Sequence, residues 1–245
     1  MHLRNDFLHL LAPALCPGCD DPLPEQKVGY CYACRASLTP APFPRDLFMD
    51  LLQHFDSDHL AIFAIGALYL FEQDSPVQRI IHALKYQGCY DLGVELGKEL
   101  GATIKMFPEF HGVDAVVPVP LHHARRRERG YNQAEAIATG VAHAFSVELL
   151  TDRLHRSRHT ISQTSLNAKE RQRNVQNAFA ARNESLAGRT VLLCDDVCTT
   201  GATLNICADR LLSAGAKRVV AATAAKDLVA NFNAPKTDVS QLLFP

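Results

Sequence analysis

One segment in the last third of the chain constrains the fold more than any other. Residues 189–194 form a short apolar run typical of a buried strand, and two aspartates, Asp195 and Asp196, follow directly. A threonine-rich loop comes next, and residues 202–214 then repeat apolar side chains at helical spacing. A buried strand that leads through a polar loop into a helix is typical of a parallel sheet with crossover helices. The sequence therefore predicts an α/β fold.

The remainder of the chain repeats this alternation of strand and helix. With 47% hydrophobic residues among 245, the chain can form one sizeable α/β domain and a small additional unit. Its net charge of -1 gives no overall attraction to DNA or to anionic lipid. The predicted elements are strands at 61–71, 114–118 and 218–225 and helices at 77–88, 92–104 and 134–145.

The polar loop after the acidic strand suits a ribose 5-phosphate. Backbone N–H groups at a helix start and the threonine hydroxyls can bind a phosphate, and Gly201 lets the chain approach it closely. Asp195 and Asp196 would repel that phosphate, but carboxylates accept hydrogen bonds from sugar hydroxyls. Simple helix capping by these residue types is the alternative. The predicted phosphate loop consists of Thr199, Thr200, Gly201, Ala202 and Thr203.

Four cysteines near the amino terminus lie in two C-x2-C pairs, Cys16 with Cys19 and Cys31 with Cys34. Such pairs can direct four thiolates toward one tetrahedral Zn²⁺. The segment around them has too few apolar residues to fold without a metal or disulfides. We predict a zinc-binding domain over residues 1–45, with a metal-free knuckle as the alternative.

The predicted location is the cytoplasm, where disulfides are rare. No stretch reaches the roughly 18 apolar residues of a membrane span. The first 15 residues are a poor signal peptide and are predicted to form an amphipathic helix instead. Proline-rich residues 39–44 are predicted to mark the boundary between the two domains.

Residues 195–203 resemble, at every position, the phosphoribosyl pyrophosphate motif of type I phosphoribosyltransferases. Other segments, with the cysteine set, resemble the competence protein F (ComF) family. These are residues 117–121, Arg125, residues 129–133, Thr160, residues 163–166, Arg171 and Asn174. The resemblance extends from Cys16 to Ala225. It implies a parallel-sheet type I phosphoribosyltransferase-like domain at 60–230 and a double zinc ribbon-like amino-terminal domain. Residues 231–245 fall outside the resemblance and are left as an unassigned tail.

The resemblance also implies roles for individual residues. Asp195 and Asp196 would be the catalytic pair that holds the ribose hydroxyls and faces positive charge at the anomeric carbon. Arg125 and Arg129 would lie beside a magnesium-bound diphosphate, although a solvated basic turn is equally compatible with them. The remaining implied donor-binding residues are Val119, Pro120, Leu121, Val197, Thr199, Thr200, Gly201, Ala202 and Thr203, with Lys85 and Arg171 as further candidates. A surface lysine that closes a helix is the alternative for Lys85.

Two classes of function follow from the resemblance. One is a pentosyltransferase that uses phosphoribosyl pyrophosphate and Mg²⁺, for which nucleotide salvage is an alternative role. The other is a binding protein that supports natural transformation or the use of external DNA, with single-stranded DNA and competence helicase machinery as partners. Residues 153–173 carry six Lys or Arg against one Glu, so they would either follow a DNA backbone or close as a hood over the diphosphate.

Overall fold

Strands and helices alternate along the chain as the sequence predicts. The computed structural model describes residues 14–24, 29–55, 59–156, 179–181 and 186–228. The strands are β1 (Ile65–Leu70), β2 (Ala115–Pro118), β3 (Glu148–Leu149), β4 (Leu154–Arg156), β5 (Phe179–Ala181), β6 (Thr190–Cys198) and β7 (Arg218–Lys226). The helices are α1 (Tyr32–Ser37), α2 (Pro44–Leu52), α3 (Pro76–Tyr86), α4 (Tyr90–Ile104), α5 (His123–Arg129), α6 (Gln133–Phe145) and α7 (Ala202–Ser213), and a 3-10 turn spans Pro108–Phe110.

The main sheet has five parallel strands in the order β1, β7, β6, β2, β3. Successive residues of a strand point to opposite faces, so β6 contributes to two separate cores. Leu192 and Cys194 pack on the side of α3, α4 and α6, whereas Val191 and Leu193 pack on the side of α2 and α7. Helices therefore cover both faces of the sheet, which leaves ligand sites to the carboxyl ends of its strands.

The close packing of α4 against α6 depends on two glycines that face each other. A Cβ atom on Gly97 would lie 2.0 Å from the Ile137 carbonyl oxygen, and one on Gly140 would lie 2.0 Å from the Val94 carbonyl oxygen. Only glycine permits two helix backbones to approach this closely. The two glycines thus allow α4 and α6 to pack as one compact layer on that face of the sheet.

The cysteine-containing unit packs directly on the sheet domain. Cys16 and Cys34 belong to the same apolar cluster as α3. The hydroxyls of Tyr30 and Tyr69 both donate to the Glu99 carboxylate, at 2.9 and 2.7 Å. A division of the chain at residue 45 remains a prediction, but polar and apolar contacts link the two sides of that position.

Some elements differ from the sequence-based expectation. Strand β6 continues through Cys198, so the two aspartates lie within its last residues rather than after it. Helix α2 and the antiparallel β4–β5 ribbon were not predicted. The predicted amino-terminal helix and the tail at 231–245 lie outside the described residues. Within the described ranges, no helix combines the length and the apolar character needed to cross a bilayer.

The proline-rich stretch, which the sequence predicts to mark a domain boundary, pairs with the outer edge of β1. The Ala41 N–H donates to the Leu68 carbonyl at 3.1 Å, and the Thr39 carbonyl accepts from Leu70 N–H at 2.9 Å. Pro40 stands opposite Tyr69 at a position where no hydrogen bond is needed, so its missing N–H is not costly.

Candidate functional site

Two adjacent carboxylates lie at the carboxyl end of β6. Asp195 Oδ1 accepts the N–H of Asp196 at 2.8 Å, and Asp196 Oδ1 accepts the N–H of Val197 at 2.7 Å. Lys85, near the end of α3, places its Nζ 3.1 Å from Asp196 Oδ2. The structure therefore brings Lys85 to the carboxylate pair, so it is not simply a surface lysine at a helix end.

The electrostatics of this pair favour a ligand that donates hydrogen bonds. Burial raises the pKa of the Asp195 carboxyl well above its usual range, and the neighbouring Asp196 charge adds to the shift. Lys85 and Arg156 oppose it through their positive charges. Without a ligand, Asp195 thus resists ionisation, and hydroxyl donors or nearby cations would favour its charged form.

The threonine-rich loop connects β6 to α7. Thr199 and Thr200 are exposed, and the Thr200 hydroxyl oxygen accepts the N–H of Ala202 at 3.5 Å. Gly201 has φ of 79°, a left-handed conformation that favours glycine, and α7 begins at the next residue. The first N–H groups of a helix have no backbone partners within it, so Thr203 can offer its N–H to an anion, and Ala202 can do so by giving up its long bond to Thr200.

The loop after β2 lies beside the aspartates. The N–H of Val119 donates to the Cys194 carbonyl at 2.8 Å, which places residues 119–121 next to Asp195. Asn132 Nδ2 donates to the Val119 carbonyl at 3.0 Å and holds this loop against the start of α6. The structure thus brings together the predicted ribose, phosphate and diphosphate segments at one edge of the sheet.

The two predicted arginines have different surroundings. Arg125 is exposed on α5. Arg129 is partly buried, with its guanidinium 5.1 Å from the centroid of the Tyr86 ring, and it donates to Gln133 Oε1 at 3.0 Å. Its side chain is therefore held in place, whereas Arg125 fits the solvated alternative in the absence of a ligand. Arg171 lies outside the described residues.

Arg156, the last residue of β4, is expected from the sequence only as one of the basic residues of segment 153–173 and not as a neighbour of the carboxylate pair. Its guanidinium stacks on the Phe179 ring at 5.2 Å. Burial lowers the pKa of Arg156 and the charge of Arg125 lowers it further, while Asp195 has the opposite effect. Arg156 therefore lies within range of electrostatic interaction with both Arg125 and Asp195. The available signal was its position at the start of the predicted hood.

The four amino-terminal cysteines form a separate cluster that could hold a metal ion. Their Sγ atoms all lie within 4.8 Å of one another. Cys16 Sγ accepts N–H bonds from Gly18 at 3.4 Å and Cys31 at 3.2 Å, and Cys31 Sγ accepts the N–H of Cys34 at 3.3 Å. Burial opposes ionisation of Cys16, but the N–H groups of Cys31 and Gly18 lower its pKa to about 7.

Gly18 allows the first cysteine pair to approach the second closely. A Cβ atom on Gly18 would lie only 2.7 Å from Cys34 Sγ. This close approach fits the predicted knuckle geometry. The donor set, four thiols on two short turns, is chemically suited to a tetrahedral metal.

Comparisons with known proteins agree with this arrangement. Residues 129–240 match the phosphoribosyl transferase domain family. "Competence protein F" of Haemophilus influenzae is 30% identical over 224 residues, which cover 89% of this chain and 93% of that protein. "DNA utilization protein YhgH" of Escherichia coli (strain K12) is 31% identical over 147 residues, or 59% of this chain and 64% of that protein.

The similarity to solved structures is weaker. The glutamine phosphoribosylpyrophosphate amidotransferase of B. subtilis is 18% identical with a TM-score of 0.41, over 62% of this chain and 33% of that one. The parallel sheet and the family match identify the domain as phosphoribosyltransferase-like. Since the similarity to competence protein F extends over nearly the full length of both proteins, the chain belongs to the competence protein F family.

Proposed function

We propose that this protein binds phosphoribosyl pyrophosphate with Mg²⁺ at the carboxyl ends of β2 and β6. The observation that carries the proposal is the succession, at one strand end, of two carboxylates and a threonine-rich loop that opens a helix. Asp195 and Asp196 would accept hydrogen bonds from the ribose hydroxyls. The loop from Thr199 to Thr203 would bind the 5-phosphate through N–H groups and hydroxyls.

The diphosphate would lie on the side of α5 and the β4–β5 ribbon. Burial and, to a smaller extent, the charge of Arg125 lower the pKa of Arg156, and a polyanion bound between the two arginines would favour their charged forms. Residues 119–121 would line the same side. Mg²⁺ bound to diphosphate oxygens would neutralise part of their charge, and the oxygen-rich surroundings of Asp195 and Asp196 are compatible with such a hard cation.

We further propose that the cysteine cluster holds a structural Zn²⁺. Four thiols within reach of a single ion match the donor set that this metal prefers. A reducing compartment would keep them available, so the proposed location is the cytoplasm. Zinc would then stabilise the surface that carries Tyr30 against the sheet domain.

The biological role we propose is support of natural transformation or of the use of external DNA. The names of the relatives, a competence protein and a DNA utilization protein, support this role. A pentosyltransferase that modifies an acceptor during DNA handling and a binding protein that only senses the donor are both compatible with it. Screening acceptors for donor-dependent release of diphosphate would distinguish turnover from binding, and nucleotide bases would test the salvage alternative.

Direct contact with single-stranded DNA is a second candidate function, and a surface near the donor site favours it. Tyr86 and Tyr90 are exposed, and Arg126 and Arg127 are exposed on the neighbouring α5. Exposed aromatic rings beside arginines are typical of surfaces that stack bases and follow phosphates. We expect Arg126→Glu with Arg127→Glu to weaken salt-dependent DNA binding. Arg45→Glu with Lys217→Glu, two exposed basic residues on other segments of the chain, is the matched control.

Calorimetry with phosphoribosyl pyrophosphate tests the main proposal. Thr200→Val removes a side-chain hydroxyl that would bind the phosphate, and Asp195→Asn with Asp196→Asn weakens the hydrogen-bond acceptors for the ribose hydroxyls. Each lost charged hydrogen bond is worth about 1.5–3 kcal/mol, so affinity should fall roughly ten- to a hundredfold. Binding should require Mg²⁺, and Thr103→Val on α4 should leave it unchanged. Equal affinity of the wild type and the double aspartate variant would contradict the proposal.

A further inference from the structure

A fully buried ion pair lies beneath the phosphate loop. Lys226 Nζ, at the end of β7, is 2.6 Å from Asp50 Oδ2 on α2, and both side chains are 0% exposed. Lys226 Nζ also donates to the Thr199 carbonyl at 2.8 Å and to the Asp227 carbonyl. The cation therefore connects three separate parts of the chain, one of which is the first residue of the loop.

Stability alone does not account for such a pair. Removing two charges from water is costly, and apolar residues of similar volume often stabilise a core as well or better. Two of the three contacts of Lys226 are to backbone carbonyls, at Thr199 and Asp227. Its geometry is thus suited to fixing the backbone around the loop.

Helix α2 forms the floor of the same loop. A Cβ atom on Gly201 would lie 2.5 Å from Leu51 Cδ2, so the loop backbone rests directly on the residue after Asp50. The N–H of Asp227 donates to the Cys198 carbonyl at 2.9 Å, which joins the ends of β6 and β7. The loop is consequently supported from below by α2 and from the side by β7.

We propose that Lys226 and Asp50 are positioning residues for the donor phosphate, an inference that rests on the proposed function. A carbonyl oxygen repels phosphate, and Lys226 holds that of Thr199 on the buried side of the loop. The loop N–H groups and hydroxyls are thereby kept for the anion. Asp50 neutralises Lys226 and fixes the position of its Nζ. Neither residue touches the donor itself.

The test removes both charges together, with little change in side-chain size. Lys226→Met with Asp50→Asn leaves no uncompensated buried charge, so the variant should melt within a few degrees of the wild type. Its affinity for phosphoribosyl pyrophosphate with Mg²⁺ should fall at least about tenfold, because the Thr199 carbonyl is no longer held. Asp50→Glu keeps both buried charges and shifts the Lys226 Nζ only slightly relative to the Thr199 carbonyl, so affinity should fall by only about threefold.

The control is Leu100→Ala on α4, which should lower the melting temperature without changing donor affinity. A folded double variant that binds as tightly as the wild type would overturn the positioning role and leave the donor site itself supported. If the double variant does not fold, amide hydrogen exchange in Asp50→Glu decides the question, because this variant keeps both buried charges while its extra methylene group shifts Lys226 Nζ from its place beside Thr199. Exchange at residues 199–202 should be faster by about threefold while the centre of β6 is unchanged. An unchanged exchange rate at residues 199–202 overturns the proposal.

The exchange measurement needs no ligand. If the wild type failed to bind phosphoribosyl pyrophosphate, the proposed function would be contradicted, while faster loop exchange in Asp50→Glu would still support the ion pair as the element that holds the loop. The two failures are therefore distinguishable.

Discussion

The proposed role of Asp195 as a hydrogen-bond acceptor favours its ionised form, whereas its burial favours the protonated form. Its raised pKa means that the folded protein holds the carboxyl proton more tightly than the unfolded chain does. The resulting stability is complete below the unfolded pKa of about 4 and is lost as pH rises through the raised folded value. The ionised carboxylate that the proposed ribose site would use thus lowers the stability of the unliganded protein at neutral and alkaline pH.

Asp195→Asn should therefore stabilise the unliganded protein in a pH-dependent way. The neutral amide cannot ionise, so the variant should melt a few degrees above the wild type at about pH 9 and at the same temperature at about pH 4. Thermal melting at both pH values checks this. Asp209→Asn, on the exposed surface of α7, should have no effect at either pH, and an equal gain at both would contradict the assigned sign.

Glycine is required at position 201 by the left-handed backbone conformation and also by the lack of space for a side chain. Gly188 has a similar φ of 74° but no atom within 4 Å of an added Cβ, which makes it a matched control. Gly188→Ala should destabilise by about 1 kcal/mol through backbone strain alone. Gly201→Ala should cost about 2–3 kcal/mol, because the Cβ would also displace Leu51. Denaturant unfolding measures both, and equal losses would show that α2 does not support the loop.

At the level of elements, local patterns predicted those parts whose burial is regular along the chain. Strand β6 and helix α3 were recognisable because continuous apolar runs and helical spacing directly reflect their surroundings. Helix α2 follows closely spaced prolines, and its packing beneath the loop depends on residues 150 positions away. The ion pair of Asp50 with Lys226 could not be predicted from local sequence patterns, since a single Asp and a single Lys resemble surface residues in any sequence.

The cysteine unit should contain about one zinc ion per chain. Cys16→Ser with Cys31→Ser removes one thiolate from each pair, so metal analysis of the purified variant should find almost none. The amino-terminal segment should then melt before the α/β domain, since its own apolar content is small. Cys89→Ser, outside the cluster, should retain full occupancy. An unchanged zinc content in the double variant, or none in the wild type purified without oxygen, would contradict the assignment.

At the scale of the whole molecule, the donor site and the biological role can be tested separately. In a naturally transformable host, Asp195→Asn with Asp196→Asn should fail to restore transformation to a deletion strain. The substitutions change charge but scarcely size, so the protein should reach normal abundance. Asp209→Asn should restore transformation fully.

Full restoration by the double aspartate variant, at normal abundance, would show that the donor site is dispensable for that role. The exposed surface of Tyr86, Tyr90, Arg126 and Arg127 would then be the better explanation of a DNA function. Reversal of its arginine charges, with DNA binding measured at several salt concentrations, would be the next experiment.

The pairing of residues 39–41 with β1 bears on where the chain can be divided. β1 is the last strand of the sheet on its side, and an uncovered edge strand invites pairing with another molecule. A shortened protein that began at residue 60 would expose that edge, lose Asp50, and leave Lys226 as an unpaired charge in the interior. We expect it to self-associate and aggregate. We therefore expect the amino-terminal segment to shield the sheet domain from pairing with other copies of itself.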